Sequence, residues 1–222
     1  TVKKQAVPQE TKRYYTRSGL GLMANSITYV ALGLISMLMI EWLSPNETVL
    51  GHYVIVSKIS GISAIILGAM SFLMNPFLSD LKDTARLKSL QSLINFQIGI
   101  GFAWLVIVLA AFFLFKPLIF TVYDIHFEHA TLAICIMMVF SYLFGIVGIS
   151  ESICLFNDMN KKLYPVTLFQ IIFQGIACYF LIPLYSYLGA IYALLASEII
   201  CAAICWFLAR SHGIKIKILG IV

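Results

Sequence analysis

The sequence predicts an all-α membrane protein, a bundle of six transmembrane helices. The first observation is composition: 61% of the 222 residues are hydrophobic and 11% are charged, against about 45–50% and about 25% in soluble domains. The second is length, because the apolar blocks reach the roughly 20 residues that a helix needs to cross a bilayer. The third is the distribution of Lys and Arg, which alternates along the chain and fits only six crossings.

Six apolar blocks, separated by turn signals, define the predicted helices. The first ends at Ser44-Pro45-Asn46, the third ends at Lys116-Pro117, and the turn Tyr185-Ser186-Tyr187 precedes the sixth. At about 1.5 Å per residue each block spans the roughly 30 Å hydrocarbon core as a helix, whereas barrel strands would be shorter and would alternate. The blocks are 19–43, 52–78, 93–115, 130–156, 164–184 and 188–209.

The basic residues predict that both chain ends lie in the cytoplasm. They concentrate in the first segment, in the second and fourth loops and in the tail, whereas the alternate loops contain only Lys116. The cytoplasmic set is Lys3, Lys4, Lys12, Arg13, Arg17, Lys82, Arg86, Lys88, Lys161, Lys162, Arg210, Lys215 and Lys217. We therefore expect a cytoplasmic basic linker at 1–18, the bundle at 19–209 and a cytoplasmic tail at 210–222. Because the linker is polar and lacks an initial Met, we expect the natural start to lie upstream.

The segment 80–92 has two interpretations. Its leucines and charges have a loosely helical spacing, which is typical of a helix lying along the cytoplasmic interface. Alternatively, the second and third helices extend beyond the membrane.

Several functional classes find no support in the residues. The net charge of +5 does not indicate nucleic acid, because the basic residues lie in short segments between apolar blocks. The five cysteines lie inside apolar blocks without metal-type spacing, and we interpret them as packing residues. His126, Glu128 and His129 lack the spacing that places two imidazoles on one helical face. No nucleophile elbow, phosphate loop or triad appears, so we expect neither an enzyme nor a metal or other cofactor.

Two charged residues inside apolar blocks are candidates for a substrate path. Lys58 lies in the second block, where a charge costs about 2.5 kcal/mol at mid-depth. It either contacts an anionic group such as a diphosphate or extends its stem to the outer headgroups. Glu198 lies near the middle of the sixth block and is either hydrogen-bonded between helices or in contact with substrate or a coupling ion.

Three amides are weaker candidates for the same path. Gln170 and Gln174 are one turn apart on the fifth block, so both face protein or water, and hydrogen bonds between helices are the alternative to a transport role. Asn25 in the first block is a similar case. The small residues spaced by four in the sixth block, from Gly189 to Ala209, predict close helix packing, as do Ser60, Ala64 and Gly68 in the second.

The order of these features resembles a known family. The helix GLGLMANSITYVALGL follows a basic linker, and a short outer turn leads into GHYVIVSKIS and a helix that ends in NPFLSDL. This resembles the seventh and eighth helices of Wzx-type polysaccharide flippases of the multidrug/oligosaccharidyl-lipid/polysaccharide (MOP) superfamily. YLGAIYALLASEI is similar to the family's pattern in the last helix of the core bundle. The likeness covers residues 17–210.

The resemblance implies that the chain is the carboxy-terminal half of a pseudo-symmetric transporter of twelve or more helices, with Lys58 and Glu198 placed to line its central cavity. The implied partners are an undecaprenyl-diphosphate-linked oligosaccharide, membrane lipids and the missing amino-terminal half. The implied function is transfer of that oligosaccharide across the bacterial cytoplasmic membrane for surface polysaccharide such as the O-antigen of lipopolysaccharide. A cation-coupled multidrug exporter and a lipid II flippase of the same superfamily are the alternatives. A membrane glycosyltransferase would need a larger outer loop, and a purely structural bundle would not need Lys58 or Glu198.

Overall fold

The structure, a computed structural model, describes residue 27 and the ranges 30–44, 46–66, 68–69, 86–156 and 160–211. The predicted linker and most of the predicted tail lie outside these residues, so the proposed segment boundaries stay predictions. The described part is entirely helical apart from short turns, which confirms the predicted all-α fold. Its elements are α1 (Val30–Leu43), α2 (Glu47–Ser60), a 3₁₀-helix (Gly61–Ala64), α3 (Arg86–Val122), α4 (Ala130–Phe156), α5 (Asn160–Tyr185) and α6 (Tyr187–Ser211).

Among the six α-helices in the described ranges, four are long and apolar enough to cross a membrane. These stretches are Ser92–Val122 in α3, Ala130–Gly148 in α4, Pro165–Tyr185 in α5 and Tyr187–Leu208 in α6. The described part of α1 is a shorter apolar helix. Large apolar side chains on α3 and α5, such as Leu114 and Leu184, are more than two-thirds exposed, which is the pattern expected of helices whose outer faces contact lipid.

Helices α4 and α6 lie at the centre of the bundle. Helix α4 packs against α2, α3, α5 and α6, and α6 packs against α5, α4 and α2. The core between them contains fully buried residues from several helices, among them Ile40, Ile94, Ile134, Met138 and Ile191. Because lipid is as apolar as these side chains, close packing and interhelical hydrogen bonds hold the helices together.

Small residues bring α6 close to its neighbours, as the sequence predicts. Gly189, Ala193, Ser197, Cys201 and Cys205 are all buried. The cysteines fit the predicted packing role, since Cys178, Cys201 and Cys205 are buried in the apolar core as thiols.

Helix α3 continues through the predicted stop at Lys116-Pro117 and ends at Val122, so that prediction is wrong. Pro117 removes a single helical amide, and the flanking residues are apolar enough to stay in the membrane. The hydroxyl of Thr121 donates to the Pro117 carbonyl at 2.9 Å, which satisfies one acceptor near the helix end. At its other end α3 begins at Arg86, so residues 86–92 extend this helix as the second interpretation of segment 80–92 proposes.

The second block is not one continuous α-helix, because α2 changes to a 3₁₀-helix at Gly61. Ser60 and Ser63 flank the change, and their hydroxyls donate to the carbonyls of Val56 at 2.8 Å and Ser60 at 2.6 Å. Such bonds compete with the regular ladder. The Trp104 indole of α3 donates to the Ile62 carbonyl at 3.3 Å. Ser60 also donates to the Ile134 carbonyl of α4 at 3.2 Å, so the altered turn is tied to two neighbours.

Asn46 begins α2 as its N-cap. Its side-chain oxygen accepts from the Thr48 amide at 3.0 Å and from the Thr48 hydroxyl at 2.8 Å. The backbone of Asn46 is extended, as is usual for a residue that caps a helix whose first amides lack helical partners. The turn signal read from the sequence therefore ends α1 and starts α2.

Asn46→Ala is expected to weaken the first turn of α2 by about 1 kcal/mol, because the Thr48 amide loses its acceptor. The measurement is hydrogen exchange of the amides at Thr48 and Val49 in the full-length protein. Asn46→Asp retains the acceptor and is the control. Equal protection in all three proteins would contradict the capping role.

A tight turn joins α5 to α6. Ser186 alone separates them and has a positive φ of 57°, and its amide donates to the Ile182 carbonyl at 2.8 Å. Gly189 follows in the first turn of α6, and a β-carbon there would lie 2.2 Å from the Leu181 carbonyl oxygen. The absence of a side chain at Gly189 is therefore required for the two helices to meet.

Candidate functional site

Lys58 lies on the exposed side of α2. The opposite side of this helix is buried through Tyr53, Val56, Ile59 and Ser60. Lys58 is roughly 16 Å along the helix from Glu47 at 1.5 Å per residue, about half the thickness of the hydrocarbon core. Its side chain therefore projects away from the core of the bundle. With Glu47 at the membrane surface, this is a depth at which a cation needs a polar or anionic contact.

The surface beside Lys58 carries glycines that the bundle does not need for its own packing. Gly51 on α2 and Gly61 at the start of the 3₁₀-helix are exposed, and a β-carbon at either position would meet no atom within 4 Å. No side chain protrudes at these glycines, which leaves space next to the Lys58 ammonium group.

Glu198 and Gln170 are brought together inside the bundle. The Gln170 amide of α5 donates to a carboxyl oxygen of Glu198 on α6 at 2.7 Å. The two side chains are 4% and 1% exposed. The contact therefore joins two adjacent helices across a dry interface, where a polar group without a partner would be destabilising.

Gln174 is fully buried one turn further along α5 and connects this helix to α1. Its amide donates to the Leu32 carbonyl at 2.8 Å and to the Ser36 hydroxyl at 2.9 Å. Both glutamines thus make interhelical hydrogen bonds, which is one of the two roles predicted for them. Asn25 lies outside the described residues.

The predicted site residues do not form one cluster. Glu198 and Gln170 share one contact, Gln174 makes a second, and Lys58 lies on the outer side of α2. Ser36 and Gln97 are buried polar residues that the sequence reasoning does not include. Gln97 could have been found as an amide inside an apolar block. Ser36 had no such signal, because a serine in a membrane helix is common and its partner lies far along the chain.

A solved structure, described as the outward-facing conformation of a multidrug resistance MATE family transporter of the MOP superfamily, has the same fold. The TM-score is 0.75 at 15% sequence identity, over 96% of this chain and 48% of the transporter. The chain therefore spans about half the length of that protein and has the six-helix fold of one half of a transporter. No protein-family model and no curated protein sequence matches the chain.

Proposed function

We propose that the chain supplies one half of a transporter that moves a lipid-linked oligosaccharide across the bacterial cytoplasmic membrane. Two lines of support meet here. The fold is that of one half of a MOP superfamily transporter, and the sequence motifs around Lys58 and Glu198 resemble the flippases of that superfamily. In this proposal the sugar head crosses through a hydrated cavity between two halves, while the lipid tail stays in the bilayer.

The observation that carries the proposal is the exposed ammonium group of Lys58. An undecaprenyl-diphosphate carrier brings a diphosphate into the transport path, and a cation at half depth lowers the electrostatic cost of that passage. The exposed glycines before and after Lys58, Gly51 and Gly61, leave room for a bulky headgroup next to the charge. The exposed face of α2 is then the part of this half that lines the cavity.

A multidrug exporter is the second candidate, because the transporter with the same fold is described as a multidrug resistance protein. Such a function favours carboxylates that face the cavity and attract cationic drugs. Glu198 is 1% exposed and accepts a hydrogen bond from Gln170, whereas Lys58 is exposed. Of these two intramembrane charges only the positive one is exposed, which favours an anionic substrate. A lipid II flippase shares the diphosphate requirement and differs in the glycan.

The test is Lys58→Ala in the full-length protein, scored by surface polysaccharide and by accumulated lipid-linked precursor. We expect transfer to fall about ten-fold or more, because a charge-assisted contact to a phosphate contributes about 1.5–3 kcal/mol. Lys58→Arg keeps the charge and should retain most of the transfer. Accumulated cell-wall precursor in place of O-antigen precursor would assign the lipid II alternative.

Lys116→Ala is the matched control, since this lysine lies near the end of α3 with its ammonium 5.2 Å from the centroid of the Phe120 ring. It should leave surface glycan unchanged. Normal glycan in a membrane-inserted Lys58→Ala protein would refute the role of Lys58. Drug sensitivity with normal glycan would support the exporter.

A further inference from the structure

A pocket of about 770 Å³ lies at the end of the bundle where three connections meet. They are the α1–α2 turn, the α3–α4 loop and the α5–α6 turn, and the charge pattern predicts that this end faces the outside. The volume is within the range of about 300–1,000 Å³ that is typical of small-molecule sites. We call it the turn pocket and define it by His52, Glu128, His129, Tyr185, Tyr187 and Tyr192.

An aromatic cluster fixes one wall of the turn pocket. The rings of His52 and Phe127 stack with centroids 4.0 Å apart, and the Tyr187 ring stands edge-on to both at 5.6 and 5.4 Å. The Tyr187 hydroxyl donates to the Glu128 carbonyl. The three residues come from α2, the α3–α4 loop and α6, so the cluster holds the loop between two helices. The wall is formed before any ligand arrives.

The pocket lining also offers an exposed aromatic ring. Tyr185 is 52% exposed at the end of α5. Its ring meets Tyr192 edge-on at 5.9 Å and 83°, which orients it. Glu128 and His129 are also exposed and line the same pocket. An oriented ring face next to a carboxylate and imidazoles combines a stacking platform with hydrogen-bond acceptors and donors.

This combination matches the chemistry of a pyranose ring. A sugar presents one face of C–H groups, which stacks on an aromatic ring, and an edge of hydroxyls, each of which donates and accepts hydrogen bonds. We propose that the turn pocket binds a sugar unit of the transported glycan on the side where transfer ends. That the bound sugar belongs to the transported glycan rests on the proposed function. That the turn pocket binds sugar at all rests on the pocket lining alone.

An organic cation fits the turn pocket less well. The aromatic cages that bind organic cations combine several ring faces around one point, but His52, Phe127 and Tyr187 pack against one another. Tyr185 has the largest exposed fraction among the Phe and Tyr residues that line the pocket. A single exposed phenol ring, that of Tyr185, with polar groups around it favours a neutral sugar over an organic cation.

The experiment is saturation-transfer NMR on the full-length protein in lipid nanodiscs, because maltoside detergents would compete. The probes are maltotriose, mannotriose and the trimer of N-acetylglucosamine. We expect saturation of the ring protons of at least one trisaccharide. Tyr185→Ala should weaken its binding about 2- to 10-fold, and Tyr185→Phe should bind like the unmodified protein, because stacking needs only the ring.

Tyr179→Ala is the matched control, since Tyr179 lies on the same helix with 51% of its surface exposed and is not part of the pocket lining. It should bind sugar normally. Glu128→Gln should also weaken binding, which tests the pocket without altering an aromatic residue. The proposal is overturned if no trisaccharide is saturated, if Tyr185→Ala and Tyr179→Ala behave alike, or if tetraphenylphosphonium binds in place of sugar through Glu128.

The two proposals fail separately. If sugar does not bind but Lys58→Ala still blocks surface glycan, only the turn pocket proposal is lost. If Lys58→Ala leaves glycan normal and sugar still binds in a Tyr185-dependent way, the proposed transport function is lost and the sugar site remains.

Discussion

Replacing Gly189 with alanine is expected to prevent α5 and α6 from closing their hairpin. The added β-carbon would lie 2.2 Å from the Leu181 carbonyl oxygen and 2.7 Å from the Ile182 amide nitrogen. Both are backbone atoms, so no side-chain rotation relieves the overlap. Overpacking of a core costs about 1–3 kcal/mol when side chains can adjust. We expect about 3 kcal/mol here, measured as the free energy of unfolding in mixed micelles.

Gly175→Ala is the control for this prediction. Gly175 lies within α5, and a β-carbon there would meet no atom within 4 Å. The substitution should change the unfolding free energy by less than about 1 kcal/mol, in the stabilising direction that helix propensity gives. If both alanine variants unfold like the unmodified protein, the close approach at Gly189 is not required for the fold.

Replacing Gln170 with leucine is expected to lower the free energy of unfolding by about 2 kcal/mol. The variant removes the amide that donates to the Glu198 carboxyl at 2.7 Å, and it leaves that oxygen in an interface that is almost closed to solvent. Glu198→Leu should have a similar effect, because it leaves the Gln170 amide without this acceptor. Glu198→Gln keeps an acceptor in place and should stay within about 1 kcal/mol of the unmodified protein.

The double variant Gln170→Leu with Glu198→Leu tests whether the two residues stabilise the protein through their mutual hydrogen bond. Removing both partners of a buried hydrogen bond costs less than removing one. The double variant should therefore be more stable than the sum of the two single effects predicts, by about 1 kcal/mol. Strictly additive effects would mean that the two residues act independently, and the 2.7 Å contact would then contribute nothing to stability.

Long apolar blocks and turn signals were sufficient to predict most of the bundle. The block at 130–156 has the bounds of α4, and the single turn before α6 lies at Ser186 within the predicted triplet. The change from α-helix to 3₁₀-helix at Gly61 could not be predicted from apolar blocks or turn signals. It depends on the Ser60 hydroxyl reaching Ile134 and on the Trp104 indole reaching Ile62, and both partners come from other helices.

The candidate site was less predictable than the helices, for a physical reason. A single polar residue in a membrane helix indicates that a partner exists but does not identify it. Glu198 and the glutamines were recognised, yet nothing in the sequence pairs Glu198 with Gln170 and not with Gln174. That choice depends on the rotation of α5 against α6, which packing over the whole length of both helices determines.

The bond from Gln174 to α1 has a consequence for biosynthesis. Its acceptors, the Ser36 hydroxyl and the Leu32 carbonyl, precede it by 138 and 142 residues. At about 5–20 residues per second, the ribosome needs roughly 7–28 s to add the missing partner after Ser36 is made. During that interval α1 cannot make its native contact with α5. The contact between α1 and α5 is therefore formed late, and a chain with Gln174 replaced would lack these two hydrogen bonds and be cleaved faster by membrane proteases.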